Sequence, residues 1–344
     1  MTATAAPPPG SVAFSTSGTT GPPVSWLRTP AQLTAEAVLL SDLLGPVDRV
    51  VCHAPPHHLY GRIFGVEIPC LAGVPVTIGW NRPLEPPEWD PGARTLLVCL
   101  PSTWQVLVRD LARLARCREV IAVHSTARVP TAAYEVTERL AGSGFRALEV
   151  LGSTETGAVA TRPVDPAARE GGIWRLLPDV DWAAGPPGPG PDAVRLSVTG
   201  PRLAHRPGEA VPGSVVMPDL VVAAGAEPGA AAPVREFRRL GRSPGLVKVN
   251  GVRCDLGRVE LLARRLVPGA DVACVPLADE VRGEHYALYY AAAGAPGPAA
   301  LRDLLATTLD GVPGPRSVTR VRYIPRAGEA VLTARLPALV AEER

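Results

Sequence analysis

Between residues 49 and 150 the chain repeats one pattern, a short apolar run, a polar turn and a stretch with helical spacing. The apolar runs fall at 49–53, 74–78, 95–100, 119–123 and 146–150. Helical stretches at 30–44, to about 72, 101–116 and 130–141 accompany them. Continuous apolar strands alternating with helices dictate an α/β fold with a mostly parallel sheet covered on both faces. In such sheets ligands sit beyond the carboxyl ends of the strands. Three polar turns follow three of these strands, around His58, around Ser125 and over 152–157, so one sheet edge should gather them.

The first helix carries its own punctuation. Thr29 caps it and Pro30 suits its first turn. Leu33, Ala37, Leu40 and Leu44 share one face, and Gly45-Pro46 ends it. From about 172 the pattern changes to short strands (194–199, 215–217, 220–223) between Pro/Gly loops, a small β-rich region of the same large domain. A short strand at 237–240 precedes residues 241–245, and strands at 246–249, 271–276, 285–291 and 318–323, with helices from 258 to about 266 and at 298–308, make a compact α+β unit. A boundary at 242–245 separates a large domain over 1–241 from a small C-terminal domain over 242–344.

Composition narrows the function classes. The net charge of +2 calls for neither nucleic acid nor an anionic membrane. No apolar run reaches the roughly 18–20 residues that span a bilayer. The Ala/Pro-rich start lacks the layout of a secretory signal. Six cysteines without CxxC spacing read as reduced thiols, which fits a cytoplasmic protein. Lys248 is the only lysine, so a GK[ST] phosphate loop and a kinase-type lysine are excluded, as is any Schiff-base lysine other than Lys248.

Residues 15–23 read Ser-Thr-Ser-Gly-Thr-Thr-Gly-Pro-Pro after a short strand at 11–14. Gly18 and Gly21 let backbone N–H groups converge on an anion, and Thr16, Ser17, Thr19 and Thr20 add hydroxyl donors. The same composition also describes a plain surface loop. In order along the chain follow Pro56-His57-His58-Leu59-Tyr60-Gly61, Leu151-Gly152-Ser153-Thr154-Glu155, Val216-Met217-Pro218-Asp219-Leu220 and Gly241-Arg242. Then come Val247-Lys248-Val249-Asn250-Gly251-Val252-Arg253 and Leu256-Gly257-Arg258-Val259-Glu260. This ordered set resembles the acyl-adenylate-forming enzymes: acyl-CoA synthetases, luciferases and the adenylation domains of peptide synthetases.

The resemblance implies ATP-dependent activation of a small-molecule carboxylic acid, release of pyrophosphate, and acyl transfer to coenzyme A or to the phosphopantetheine of an acyl carrier protein. It implies that the loop, with Gly152 and Ser153, cradles phosphates. Thr154 would touch the α-phosphate and Glu155 would bind Mg²⁺. Asp219 would take the ribose hydroxyls, Arg242 would hold ribose or phosphate, and His58 would line the acyl pocket. Lys248 and Gly251 would complete the ATP/AMP set. Glu155 as a helix cap, Asp219 as a turn residue and Arg242 as a solvated hinge charge are the structural alternatives. His53 and His57 read as structural.

Four departures from the family pattern stand out. The loop begins at 15, so an N-terminal layer is lacking and the bared flank should be covered by a second subunit, like or unlike, or be rearranged. The lysine that usually ends the loop is Val24. The C-terminal PRxxxGK motif reads Pro325-Arg326-Ala327-Gly328-Glu329-Ala330-Val331, which leaves Val331 or Glu329 at its lysine. Only an arginine such as Arg326 or Arg335 offers a substitute cation, and a guanidinium is not a simple replacement for an ammonium. Leu151 stands for the adenine-stacking tyrosine, and Pro244 for the hinge aspartate. Two alternatives follow: acyl transfer without adenylation, and a non-catalytic nucleotide- or carrier-binding partner subunit.

Overall fold

The computed structural model describes residues 10–16, 24–125, 127–169, 171–183, 185–188, 192–225, 233–242, 245–249, 252–292, 294, 296–309, 311–327 and 330–340. These divide into two compact units, the first ending at 242 and the second beginning at 245.

The first unit opens with a hairpin of β1 (Val12–Thr16) and β2 (Val24–Arg28), in which Thr16 pairs with Val24. Helix α1 (Pro30–Leu44) starts at a capping box. Thr29 Oγ1 accepts the Gln32 N–H at 3.2 Å, and the Thr29 N–H donates to Gln32 Oε1 at 3.0 Å. It ends at Gly45 with φ +79°.

Strands β3 (Arg49–Cys52), β4 (Val76–Ile78), β5 (Arg94–Cys99), β6 (Glu119–His124) and β7 (Phe145–Ser153) form the parallel part, in the spatial order β4-β3-β5-β6-β7. Their alternation is buried on both sides. Val50, Cys52, Leu96, Val98, Ile121 and Val123 join one core with α1. Val51, Leu97, Cys99, Val120 and Ala122 join the other. Strand β4 is the edge, with Val76 and Ile78 exposed.

Between β3 and β4 the chain runs through α2 (Leu59–Arg62), a π-helical turn (Ile63–Glu67) and α3 (Ile68–Ala72). The helix expected over 101–116 is two pieces, α4 (Pro101–Leu107) and α5 (Leu111–Leu114). Asp110 sits at the break, where the Trp89 indole N–H donates to its Oδ2 at 2.5 Å. Helix α6 (Thr131–Arg139) precedes β7.

The β-rich region continues the same sheet. Strands β8 (Gly157–Pro163), β9 (Ile173–Leu176), β10 (Asp181–Ala183), β11 (Val194–Thr199), β12 (Val215–Ala224) and β13 (Glu236–Arg242) pair antiparallel and extend it to eleven strands. The runs at 215–217 and 220–223 are one strand, because Pro218 falls in the bulge of the β11–β12 register, between the Arg195–Leu220 and Ser197–Val216 pairs.

The second unit is a sheet in the order β15-β14-β17-β16, from β14 (Leu246–Val249), β15 (Val252–Asp255), β16 (Asp271–Asp279) and β17 (Gly283–Ala291). Strand β18 (Ser317–Arg320) runs parallel to β17. Helices α7 (Leu256–Leu266) and α8 (Pro298–Thr308) cover it, and Asp255 caps α7 through the Arg258 N–H at 3.1 Å. All six cysteines are free thiols. Among the described residues no helix is long and apolar enough to cross a membrane.

Candidate active site at the carboxyl ends of the parallel strands

The turns expected on one sheet edge lie there, since β3, β6 and β7 run parallel and the His58, Ser125 and 153–157 turns follow their carboxyl ends. Among the described residues no three His, Cys, Asp or Glu side chains gather as a metal cluster.

His58 stands at the start of α2, half-buried, with its ring centroid 4.2 Å from that of His57. Burial first, and the His57 charge second, pull its pKa below the ordinary histidine value, so it is neutral at pH 7. The turn is compact because residue 61 is glycine. A Cβ there would lie 2.1 Å from the Pro55 carbonyl oxygen. Tyr60 fastens this turn to the sheet, its hydroxyl reaching the Val123 carbonyl at 2.8 Å and the Cys99 carbonyl at 3.2 Å. The edge of β5 and β6 thus holds the loop that carries His58.

His124 ends β6 and is fully buried. The Trp104 indole N–H donates to its Nδ1 at 3.0 Å, so the ring proton sits on Nε2, 3.2 Å from the Ala127 carbonyl. Burial pushes its pKa down to about 4. This neutral imidazole shapes the turn after β6. Thr126 lies outside the described residues.

The 153–157 turn joins β7 to β8, with an irregular register at Gly152. The Ser153 hydroxyl lies 3.1 Å from the Thr156 hydroxyl and accepts the Thr156 N–H at 3.3 Å. Thr156 Oγ1 in turn donates to the Gly157 carbonyl at 2.9 Å. The Ser153 hydroxyl, expected to bind the nucleotide, is therefore engaged in shaping the turn. Thr156, which sequence reasoning did not single out, is its partner. Thr154 is half-buried. Glu155 is 9% exposed, its carbonyl accepts the Ala204 N–H at 2.8 Å, and its charge is felt by Arg28. No helix starts at Glu155, so it is not a helix cap. One carboxylate suits Mg²⁺, which keeps waters and takes its remaining oxygens from phosphates.

Asp219 lies inside β12 rather than in a turn, and the register sets it opposite Arg242 on β13. Its carboxylate is 1% exposed and accepts Arg239 Nε–H at 2.6 Å, a buried pair the sequence did not reveal. Lys248 lies on β14 of the second unit, where its N–H donates to Glu284 at 2.6 Å. Arg326 binds Asp271 at 2.7 Å, and Arg335 is exposed on a 3₁₀ turn. Ser17, Gly18, Thr19, Thr20, Gly21 and Gly251, with the side chains of Thr16 and Arg242, lie outside the described residues.

A family model described as AMP-binding enzyme matches residues 4–190, more than half of the chain. Over 150 residues the chain is 35% identical to a 4-coumarate–CoA ligase of Halorhodospira halophila, covering 43% of this chain and 37% of that protein. Over 160 residues it is 31% identical to a sulfoacetate–CoA ligase of Cupriavidus necator, covering 45% of this chain and 31% of the relative. The chain thus spans about a third of the length of these curated relatives. A malonyl-CoA ligase solved with methylmalonyl-CoA and AMP superposes with a TM-score of 0.64 at 23% identity, covering 91% of this chain and 71% of that one. A likeness at that identity speaks for the fold.

Proposed function

The chain belongs to the AMP-binding enzyme family, within the acyl-adenylate-forming superfamily, and on that footing we propose that it activates a carboxylic acid with ATP and passes the acyl group to a thiol. The observation that carries this reading is the 153–157 turn, which sets Thr154 and Glu155 on the same sheet edge as the His58 turn.

In the first half-reaction the substrate carboxylate attacks the α-phosphorus of ATP and pyrophosphate leaves. In the second, a thiolate of coenzyme A or of a carrier-protein phosphopantetheine attacks the acyl carbonyl, and AMP leaves. Thr154 donates its hydroxyl to the α-phosphate. Glu155 would hold Mg²⁺, which spreads the charge on the phosphate oxygens. The residues 16–21 supply N–H and hydroxyl donors to the phosphates. Asp219 and Arg242, opposite each other across β12 and β13, take the ribose side of the nucleotide, with Arg239 moving off Asp219 to free a carboxylate oxygen. His58, neutral at pH 7, lines the acyl pocket without adding a second charge beside the substrate carboxylate.

Pyrophosphate exchange across a panel of aryl and fatty acids tests the reading. At least one acid should drive exchange, and the absence of both exchange and AMP release with every acid would overturn it. The lack of a cation at the family's lysine position, Val331 or Glu329 here, favours a second reading, transfer alone from a preformed acyl-adenylate to a thiol. Synthetic acyl-AMP with coenzyme A or a pantetheine thiol distinguishes the two, because only the second reading gives thioester there without exchange.

A further inference from the structure

Glu36 lies on the apolar face of α1, beside Leu33, Ala37 and Leu40, and is 3% exposed. Two guanidiniums enclose it. Arg28, fully buried at the end of β2, donates Nη1–H to Glu36 Oε2 at 2.7 Å. Arg202, 2% exposed, brings its Nη1 within 3.2 Å of the same oxygen. The other oxygen, Oε1, accepts the Ala158 N–H at 2.8 Å. Arg202 also donates Nη2–H to the Ala158 carbonyl at 2.8 Å and grips Asp179 at 2.6 and 2.8 Å. Arg28 Nη2–H in turn donates to the Arg202 carbonyl.

The N–H and the carbonyl of Ala158, one residue after the turn and paired with Gly152 across β7 and β8, are thus both bonded by buried charged side chains. Gly157 leaves room for this. A Cβ there would meet Glu36 Oε2 at 2.3 Å and both guanidiniums at 2.8 Å, and its φ is +72°. Buried ion pairs seldom add net stability over apolar packing. Two buried charges on one backbone residue beside the candidate site, with Arg28 bracing both, therefore point to placement rather than to stability.

We propose that Glu36, clamped by Arg28 and Arg202, is a positioning residue that fixes the 153–157 turn, and with it Thr154 and Glu155, against the β1–β2 hairpin. That hairpin pairs Thr16 with Val24, the two ends of the hydroxyl-rich segment. Glu36 acts through Ala158 and touches no substrate. The proposal rests on the reading of this turn as nucleotide-handling.

The test uses the full chain with Glu36→Gln, which keeps an oxygen for the Ala158 N–H but removes the charge. Asp179→Asn is the second variant and loosens Arg202 from its more exposed end. Backbone hydrogen exchange over 153–158, the AMP dissociation constant by calorimetry, and kcat and KM per titrated active site are read together. Glu36→Gln should speed exchange selectively over 153–158 and weaken AMP at least tenfold, with the KM of the acid unchanged. Asp179→Asn should do the same to a smaller extent, and it decides the matter if Glu36→Gln does not fold. A folded variant with wild-type protection over 153–158 and wild-type AMP affinity overturns the proposal. So does a loss of protection spread evenly over the first unit, as a merely structural residue would give. If the wild-type chain binds no AMP, the functional reading fails, and the exchange pattern alone judges the positioning role.

Discussion

Acidification should unfold the first unit through His124, and the size of the effect follows from its surroundings. The ring is fully buried, accepts the Trp104 indole N–H on Nδ1 and donates from Nε2 to the Ala127 carbonyl. A protonated ring would lose the Trp104 bond and bury a charge, so its pKa falls to about 4 in the folded chain, against 6.5 for an exposed histidine. Between these values the unfolded chain binds more protons than the folded one, so stability is present above the unfolded pKa and is lost as pH falls. For one such group the loss between pH 7 and pH 5 is about 2 kcal/mol. His53, buried and also pulled to about 4, adds a similar amount, and His58 shifts in the same direction. All six tryptophans, residues 26, 80, 89, 104, 174 and 182, lie in the first unit, so their fluorescence in urea follows that unit alone. His124→Gln should flatten the difference between pH 7 and pH 5 by about 2 kcal/mol. Parallel pH profiles for wild type and variant would refute a neutral buried His124.

Two further outcomes follow from single groups. Tyr60→Phe removes the hydroxyl that holds the His58 turn to the Val123 and Cys99 carbonyls and should cost about 1–2 kcal/mol in the same urea assay, with a raised KM for the acid. An unchanged midpoint and KM would separate the His58 turn from that anchor. Glu155→Gln should lower the adenylation rate by about 10² or more while AMP still binds, and a rate within twofold of wild type would remove Glu155 from the chemistry.

The parallel half of the large sheet is written in the sequence because β3, β5 and β6 are buried on both faces and alternate with helices. Thr29, Pro30 and Gly45 mark α1 at both ends, and α8 spans the expected 298–308. The antiparallel half is harder to read because β12 carries Pro218 inside the strand and β9 pairs with β13 rather than with its sequence neighbour β10. The helix break at Asp110 depends on Trp89, 21 residues away. The site was legible as motifs but not as contacts. Nothing local shows that the Ser153 hydroxyl is held by Thr156, or that Asp219 is buried under Arg239. One signal was available, since Glu36 falls at the buried spacing of an otherwise apolar helix face. A carboxylate there demands cations from elsewhere, and Arg28 and Arg202 supply them.

The central claim is that this chain holds a nucleotide by the turn at 153–157 and the Asp219–Arg242 rung. Calorimetric titration with AMP and with a non-hydrolysable acyl-sulfamoyl adenosine tests it most directly. The account predicts one saturable site for both, at least tenfold tighter for the acyl mimic. The absence of heat with ATP, AMP and the mimic alike would contradict it.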